Sequence, residues 1–285
     1  MFIACVRIYG KKRGNTMIYD FHTHSVNSDG KGTVDELCGF AIEKGIAGFA
    51  LTDHADMEYY EERDTYNRIK KSIADALEAK EKYAGKLEIY TGVELGGYLA
   101  APEKAKELLS LKPFDVVLCS VHGAVWEKYG RFYSKIEFFE DKFEEWEITE
   151  YLDDYFKILV ETSKAFDYDV LAHIVCPARY MTGRYGRKTE LKNYKDEIAE
   201  IMKTVIEKDA ALEMNVAGFK KYTMQSEWLF DLYRDLGGRK VTIGQDTHQP
   251  HMISENVPLG IDMLRSLGYD SYTIYKNRQP YQIKI

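Results

Sequence analysis

Seven times along this chain a short apolar run of strand length gives way to a longer amphipathic stretch of helix length. The apolar runs fall at 18–21, 46–51, 87–94, 114–121, 170–173, 211–215 and 241–244. The helical stretches fall at 33–44, 58–83, 102–109, 151–166, 190–208, 226–236 and 254–267. Strands separated by helices pair in parallel through right-handed crossovers, which leaves an open doubly wound sheet or a closed α/β barrel. The stretch 33–44 carries its own punctuation. Thr33 and Glu36 have capping-box spacing, and Gly45 follows the last turn. A length of 285 residues suits one barrel. The expectation is a single domain over 17–285 behind an N-terminal extension over 1–16. That extension places Lys11, Lys12 and Arg13 after its apolar stretch, the reverse of a secretory signal. The segment 126–146 is rich in aromatic and charged residues and breaks the alternation, so an inserted loop or lid is expected at about 125–148.

The histidines choose between the two architectures. There are seven, and six fall where a strand run ends: His22, His24, His54, His122, His173 and His248. Asp29, Asp53, Glu94 and Asp246 share those ends. Side chains at i and i+2 of a strand point the same way, so His22 converges with His24, and Asp246 with His248. Closing the sheet brings its first and last strands together and unites the two pairs; an open sheet with switched strand order need not. A barrel is therefore expected, with its reactive groups at the C-terminal ends of the strands. His251 lies past the strand end beside Pro250 and reads as an ordinary surface histidine. Imidazoles and carboxylates crowded in one buried place are costly unless cations compensate them. Mixed nitrogen and oxygen donors suit zinc, iron or manganese better than calcium or magnesium.

Composition excludes several other classes. The formal charge is −7 and the pI about 5.6, which gives no electrostatic footprint for long nucleic acid. No apolar run reaches the roughly 20 residues of a membrane span. The four cysteines, Cys5, Cys38, Cys119 and Cys176, form no CxxC pair and point to a reduced, cytoplasmic chain. There is no GxSxG elbow, no phosphate-cradling P-loop, and no GxGxxG after a strand.

As an ordered set, DFHTHSVNSDG (20–30), ALTDH (50–54), GVEL (92–95), SVHG (120–123), LAH (171–173) and IGQDTH (243–248) resemble the motifs of the PHP (polymerase and histidinol phosphatase) superfamily. Within it, the chain's size and the stretch LEMNVAGFKK (212–221) resemble the histidinol-phosphate phosphatases. The resemblance implies a distorted, TIM-like (β/α)7 barrel and three divalent ions. The first would be held by His22, His24, Glu94 and Asp246. Glu94 would bridge to a second, held with His122 and His173, and Asp29, His54 and His248 would hold the third. It implies hydrolysis of a small phosphomonoester, histidinol phosphate, in histidine biosynthesis, with Glu94, Asp246 and His248 at the chemistry. Arg179, Lys220 and Lys221 are the candidates to grip phosphate, and Trp126 and Tyr133 to cover the substrate ring. Lys220 stands where that family often holds arginine. An aspartate at position 29 is also similar to relatives acting on nucleotides or short oligonucleotides, which is the alternative reading. More distant alternatives are a metal-loaded barrel without turnover and an amidohydrolase-type barrel. The latter needs a strand lysine that this chain lacks.

Overall fold

The computed structural model describes residues 16–126, 131–133, 144–178, 181, 190–218 and 227–285, with the backbone only for 124–126 and 131–133. All seven expected runs are strands. In chain order, with three short strands between them, the strands are β1 (Tyr19–Thr23), β2 (Gly48–Leu51), β3 (His54–Asp56), β4 (Glu88–Gly96), β5 (Val116–Ser120), β6 (Ala124–Trp126), β7 (Arg131–Tyr133), β8 (Val170–Leu171), β9 (Ala211–Asn215) and β10 (Val241–Gly244). Hydrogen bonding runs β1-β2-β4-β5-β8-β9-β10, each neighbour parallel to the next. The ring nearly closes where β1 meets the end of β10. His24 N–H donates to Thr247 O (2.9 Å), and Gln245 N–H donates to Asp20 Oδ1 (2.9 Å). The result is a nearly closed seven-stranded parallel barrel.

The helices are α1 (Val34–Glu43), α2 (Thr65–Lys82), α3 (Pro102–Leu109), α4 (Glu145–Ala165), α5 (Lys195–Glu207), α6 (Glu227–Asp235) and α7 (Val257–Ser266). The capping box before α1 is present. Thr33 Oγ1 accepts from Glu36 N–H (3.2 Å), and Glu36 Oε2 accepts from Thr33 N–H (2.8 Å). Such a cap contributes about 1 kcal/mol. Most strand interiors and inner helix faces share one extended apolar core, and a second cluster packs Val34, Leu37 and Ala41 of α1 against Phe49 of β2 and Ala76 of α2. Among the described residues no helix is long and apolar enough to cross a membrane.

Three features depart from the sequence reading. The insert expected at about 125–148 is shorter. It opens with the antiparallel pair β6–β7, and α4 starts at Glu145 rather than near 151. Ile148, Tyr151, Leu152 and Tyr155 are buried at helical spacing, a period that the surrounding aromatic and acidic residues obscured. Second, β2 does not simply end before His54: after two residues the chain re-enters the sheet as β3, pairing His54 with Glu94. Third, the last residues form a hairpin that was not anticipated, β11 (Ser271–Lys276) with β12 (Gln279–Lys284). Its turn residues Asn277 and Arg278 both have left-handed φ (+51° and +62°), as a two-residue type I′ turn requires. Without glycine after the asparagine the turn lacked its usual signal.

Candidate metal centre

Each strand delivers its polar residue to one end of the barrel. Along β1 every side chain is buried, and Thr23 Oγ1 donates to Ala50 O (2.8 Å), away from the site. His22 and His24 therefore share the other side, their ring centroids 5.0 Å apart. Two of the site residues sit in left-handed backbone: His173 (φ +23°) after β8 and Asp246 (φ +54°) after β10. A non-glycine residue there is strained, and such strain concentrates at functional sites.

Glu94, fully buried on β4, lies at the centre. Its Oε1 is 2.7 Å from His173 Nε2 and 2.9 Å from His122 Nε2. Its Oε2 is 2.6 Å from His54 Nδ1, 3.3 Å from His22 Nε2 and 3.7 Å from His24 Nε2. Asp246 Oδ1 is 3.2 Å from His24 Nε2 and 3.9 Å from His22 Nε2. At the rim, Asp29 Oδ1 lies 3.1 Å from His248 Nε2 and 3.5 Å from His54 Nε2, and those two nitrogens face each other at 3.4 Å. All nine residues that the sequence marked as metal ligands thus lie in one connected cluster. Asp53 does not join them: it accepts from Ser25 N–H and from the hydroxyls of Ser25, Ser28 and Ser72, holding the 25–28 loop. His251 is exposed on a short turn, as expected. The side chains of Trp126 and Tyr133, together with Arg179, Lys220 and Lys221, lie outside the described residues.

Two carboxylates in this assembly escaped the sequence reading. Asp56 Oδ1 accepts from His122 Nδ1 (2.9 Å). It lies two residues after His54 on β3, so the same parity that paired His22 with His24 marks it once β3 is recognised. Glu213 Oε1 accepts from His22 Nδ1 (2.6 Å). A glutamate in the middle of the apolar run 211–215 was itself the signal, because an unpaired charge is rarely buried.

The donors fit divalent cations. Among the described residues, four groups place one ligand atom each within 4.8 Å of the others: His24/Asp29/His54/His248, His22/His24/Asp246, His22/Glu94/His173 and His54/Asp56/His122. His22 Nε2, both ring nitrogens of His24, His54 Nδ1 and Glu94 Oε2 are buried without a hydrogen-bond partner. His54 Nδ1 and Glu94 Oε2 approach to 2.6 Å, out of line for a well-formed hydrogen bond. A buried polar atom left unpaired costs about 1–3 kcal/mol, and an ion shared among them removes that cost.

The electrostatics match. Burial works to raise the Glu94 carboxyl, but the rings of His122, His54 and His22 outweigh it and hold it well below the usual carboxylate range. Burial favours a neutral His22 ring, and Glu213, Glu94 and Asp246 overcome it, lifting that ring well above the usual imidazole range. For His24 burial prevails, reinforced by His54, and the ring is held well below that range. Against burial, Asp29 and Asp246 lift His248 to about 9. The carboxylates thus favour charge on His22 and His248 while burial disfavours it on His24 beside them, and in such a cluster a divalent cation can take the place of protons.

The family comparisons agree with this geometry. A family model described as PHP domain matches residues 20–217. The chain is 26% identical over 254 residues to a probable histidinol-phosphatase of Thermotoga maritima, covering 88% of this chain and 93% of that protein. It is 26% identical over 236 residues to a histidinol-phosphatase of Lactococcus lactis, covering 81% and 83%. Among solved structures it is similar to the histidinol phosphate phosphatase of L. lactis complexed with zinc, L-histidinol and phosphate. The TM-score is 0.71 at 20% identity, over 92% of this chain and 98% of that one, a likeness of fold. The six strand-end motifs, the seven-stranded barrel they line and the match over 20–217 have one reading: the chain belongs to the PHP domain family.

Proposed function

We propose that this chain is a metal-dependent phosphatase whose substrate is histidinol phosphate, cleaved by water to histidinol and inorganic phosphate. The observation that carries the reading is the gathering of six imidazoles around Glu94, Asp246 and Asp29 at the reactive end of the barrel. The choice of substrate rests on the names of the curated relatives, which are histidinol-phosphatases matched over most of their length. The assignment is three ions: one on His22, His24, Glu94 and Asp246; one on Glu94, His122 and His173; one on Asp29, His54 and His248. Zinc, iron or manganese suits this mixture of donors. Bound there, such ions supply an activated water and neutralise charge on the phosphoryl oxygens.

The protein's own residues do the rest. Glu94 offers one oxygen to each half of the cluster and so ties two positions together. Asp246 anchors the β10 side. His248 is the most exposed of the six rings, at 33% of its side chain, and with Asp29 it would hold the third ion at the rim, on the side from which the leaving alkoxide departs. Arg179, Lys220 and Lys221 are assigned to the phosphate. A net charge of −7 favours a small phosphorylated molecule over a long nucleic acid. The buried thiols of Cys38 and Cys119 suit a reduced cytoplasm.

The test is a substrate panel. Protein stripped by chelation and reloaded with zinc or manganese is assayed on histidinol phosphate, on nucleoside monophosphates and on short oligonucleotides. The proposal expects no turnover before reloading and a kcat/KM at least ~100-fold higher for histidinol phosphate, since a substrate-matched polar site rejects analogues by such factors or more. Preference for a nucleotide establishes the alternative substrate, and activity untouched by chelation ends the metal reading.

A further inference from the structure

The strand β9 carries none of the assigned ligands, yet it touches the ligands of three other strands. Glu213 is buried at 1% exposure. Its Oε1 accepts from the His22 ring at Nδ1 (2.6 Å), and its Oε2 accepts from the backbone N–H of His173 (2.8 Å). Two residues on, and therefore on the same side of the strand, Asn215 Nδ2 donates to Glu213 Oε2 (3.3 Å) and to Asp246 Oδ2 (3.3 Å). One side chain thus reaches β1 and the end of β8, and through Asn215 the end of β10.

We propose that Glu213 is the positioning residue of the centre, bracing His22 and His173 at once so that both present Nε2 to Glu94. The inference rests on the reading that His22, Glu94 and His173 hold metal. The two bonds do different work. A carboxylate oxygen on Nδ1 places the ring proton there and leaves the Nε2 lone pair for a cation, and such outer partners govern both tautomer and ring angle. The bond to His173 N–H holds a backbone that would otherwise leave φ +23°, and with it the ring whose Nε2 sits 2.7 Å from Glu94.

The neighbouring strand is shaped to admit this brace. A Cβ on Gly244 of β10 would lie 2.3 Å from Glu213 Oε1 and 2.5 Å from His22 Cβ, so any side chain there displaces the pair. The contact is independent of the hydrogen bonds and points to the same two residues.

Glutamine at 213 cannot meet all of these donors. If its amide nitrogen faces His22, the ring proton moves to Nε2 and blocks ligation. If it faces His173, a donor meets a donor and the left-handed backbone loses its acceptor. The experiment titrates zinc into metal-free full-length wild type, Glu213→Gln and Gly244→Ala, with a competing chromophoric chelator. Bound zinc is counted by elemental analysis, and each metal-free protein is checked by thermal unfolding. The expected result is a 10- to 100-fold weaker affinity for at least one zinc in Glu213→Gln, and a loss in the same direction in Gly244→Ala. Variants that unfold earlier when metal-free but bind zinc as tightly as wild type would make Glu213 purely structural and overturn the proposal. A second measurement needs no variant. In zinc-loaded wild type labelled with ¹⁵N-histidine, His22 should carry its proton on Nδ1, and a proton on Nε2 overturns the brace. Wild type that takes up no zinc removes the metal reading itself, and the proposal falls with it.

Discussion

The two ends of the barrel bury carboxylates in opposite ways. At the C-terminal end of the strands, Glu94 and Asp246 are surrounded by imidazoles, several of whose nitrogens have no hydrogen-bond partner. At the N-terminal end, Asp115 and Asp169 are nearly as buried, at 3% and 7% exposure, but the protein itself satisfies them. Asp115 accepts from the N–H groups of Thr91 (3.0 Å) and Asn277 (2.9 Å) and pairs with Lys80 (3.3 Å). Asp169 accepts from Val117 N–H (2.7 Å) and pairs with Arg278. The β11–β12 hairpin supplies Asn277 and Arg278, and Tyr272 of the same hairpin receives Tyr19 N–H (3.0 Å) at the start of β1. It caps the end opposite the site. Buried charge by itself therefore says little about function. What separates the ends is whether backbone amides and cationic side chains complete the hydrogen bonding, or leave it to something not encoded in the chain.

The largest expected effect tests the open end. Glu94→Gln should cut kcat on histidinol phosphate by more than ~100-fold, because outer partners of a metal already cost 10- to 100-fold. It should also loosen two ions at once, counted by elemental analysis. Unchanged turnover would remove Glu94 from the centre of the site. The converse change, Arg278→Met, should leave zinc content and kcat within twofold and destabilise the fold by about 3 kcal/mol, read from denaturant unfolding. Loss of metal in that variant would mean that the two ends are coupled.

A smaller effect concerns pH. Burial, opposed by Arg278 and by Val117 N–H, raises Asp169 to about 6 from its ordinary 3.8. Between those values the folded protein binds more protons than the unfolded chain, so this group's contribution is present at low pH and is lost as pH rises through 6. Asp169→Asn lacks that dependence. Its stability relative to wild type should shift in its favour by about 2–3 kcal/mol between pH 4 and pH 7, while the activity profile stays that of wild type. A parallel pair of stability curves would show that Asp169 ionises as freely in the fold as outside it.

Much of the site was legible because its logic is local. The i, i+2 parity of His22 and His24 and of Asp246 and His248 is a property of any strand, and a strand's end is visible where an apolar run stops. Asp56 was missed because β3 is three residues long and begins two residues after β2, too short to interrupt a pattern read by eye. The C-terminal hairpin was missed because its turn is Asn-Arg, whose second residue adopts a left-handed conformation that its type does not favour. The early start of α4 was hidden among aromatic residues whose burial only the packed structure reveals.

The sequence by itself determined the fold class and the nine residues that gather at one end of the barrel, since alternation and strand-end position need no knowledge of what lies across it. The tertiary structure alone decided which ring nitrogen faces which carboxylate, that Glu213 rather than a ligand strand supports His22, and that Gly244 must lack a side chain to allow it. Those relations join residues some 30 to 200 positions apart. They exist only once closure of β1 onto β10 sets the register, and no local preference of the chain encodes that register.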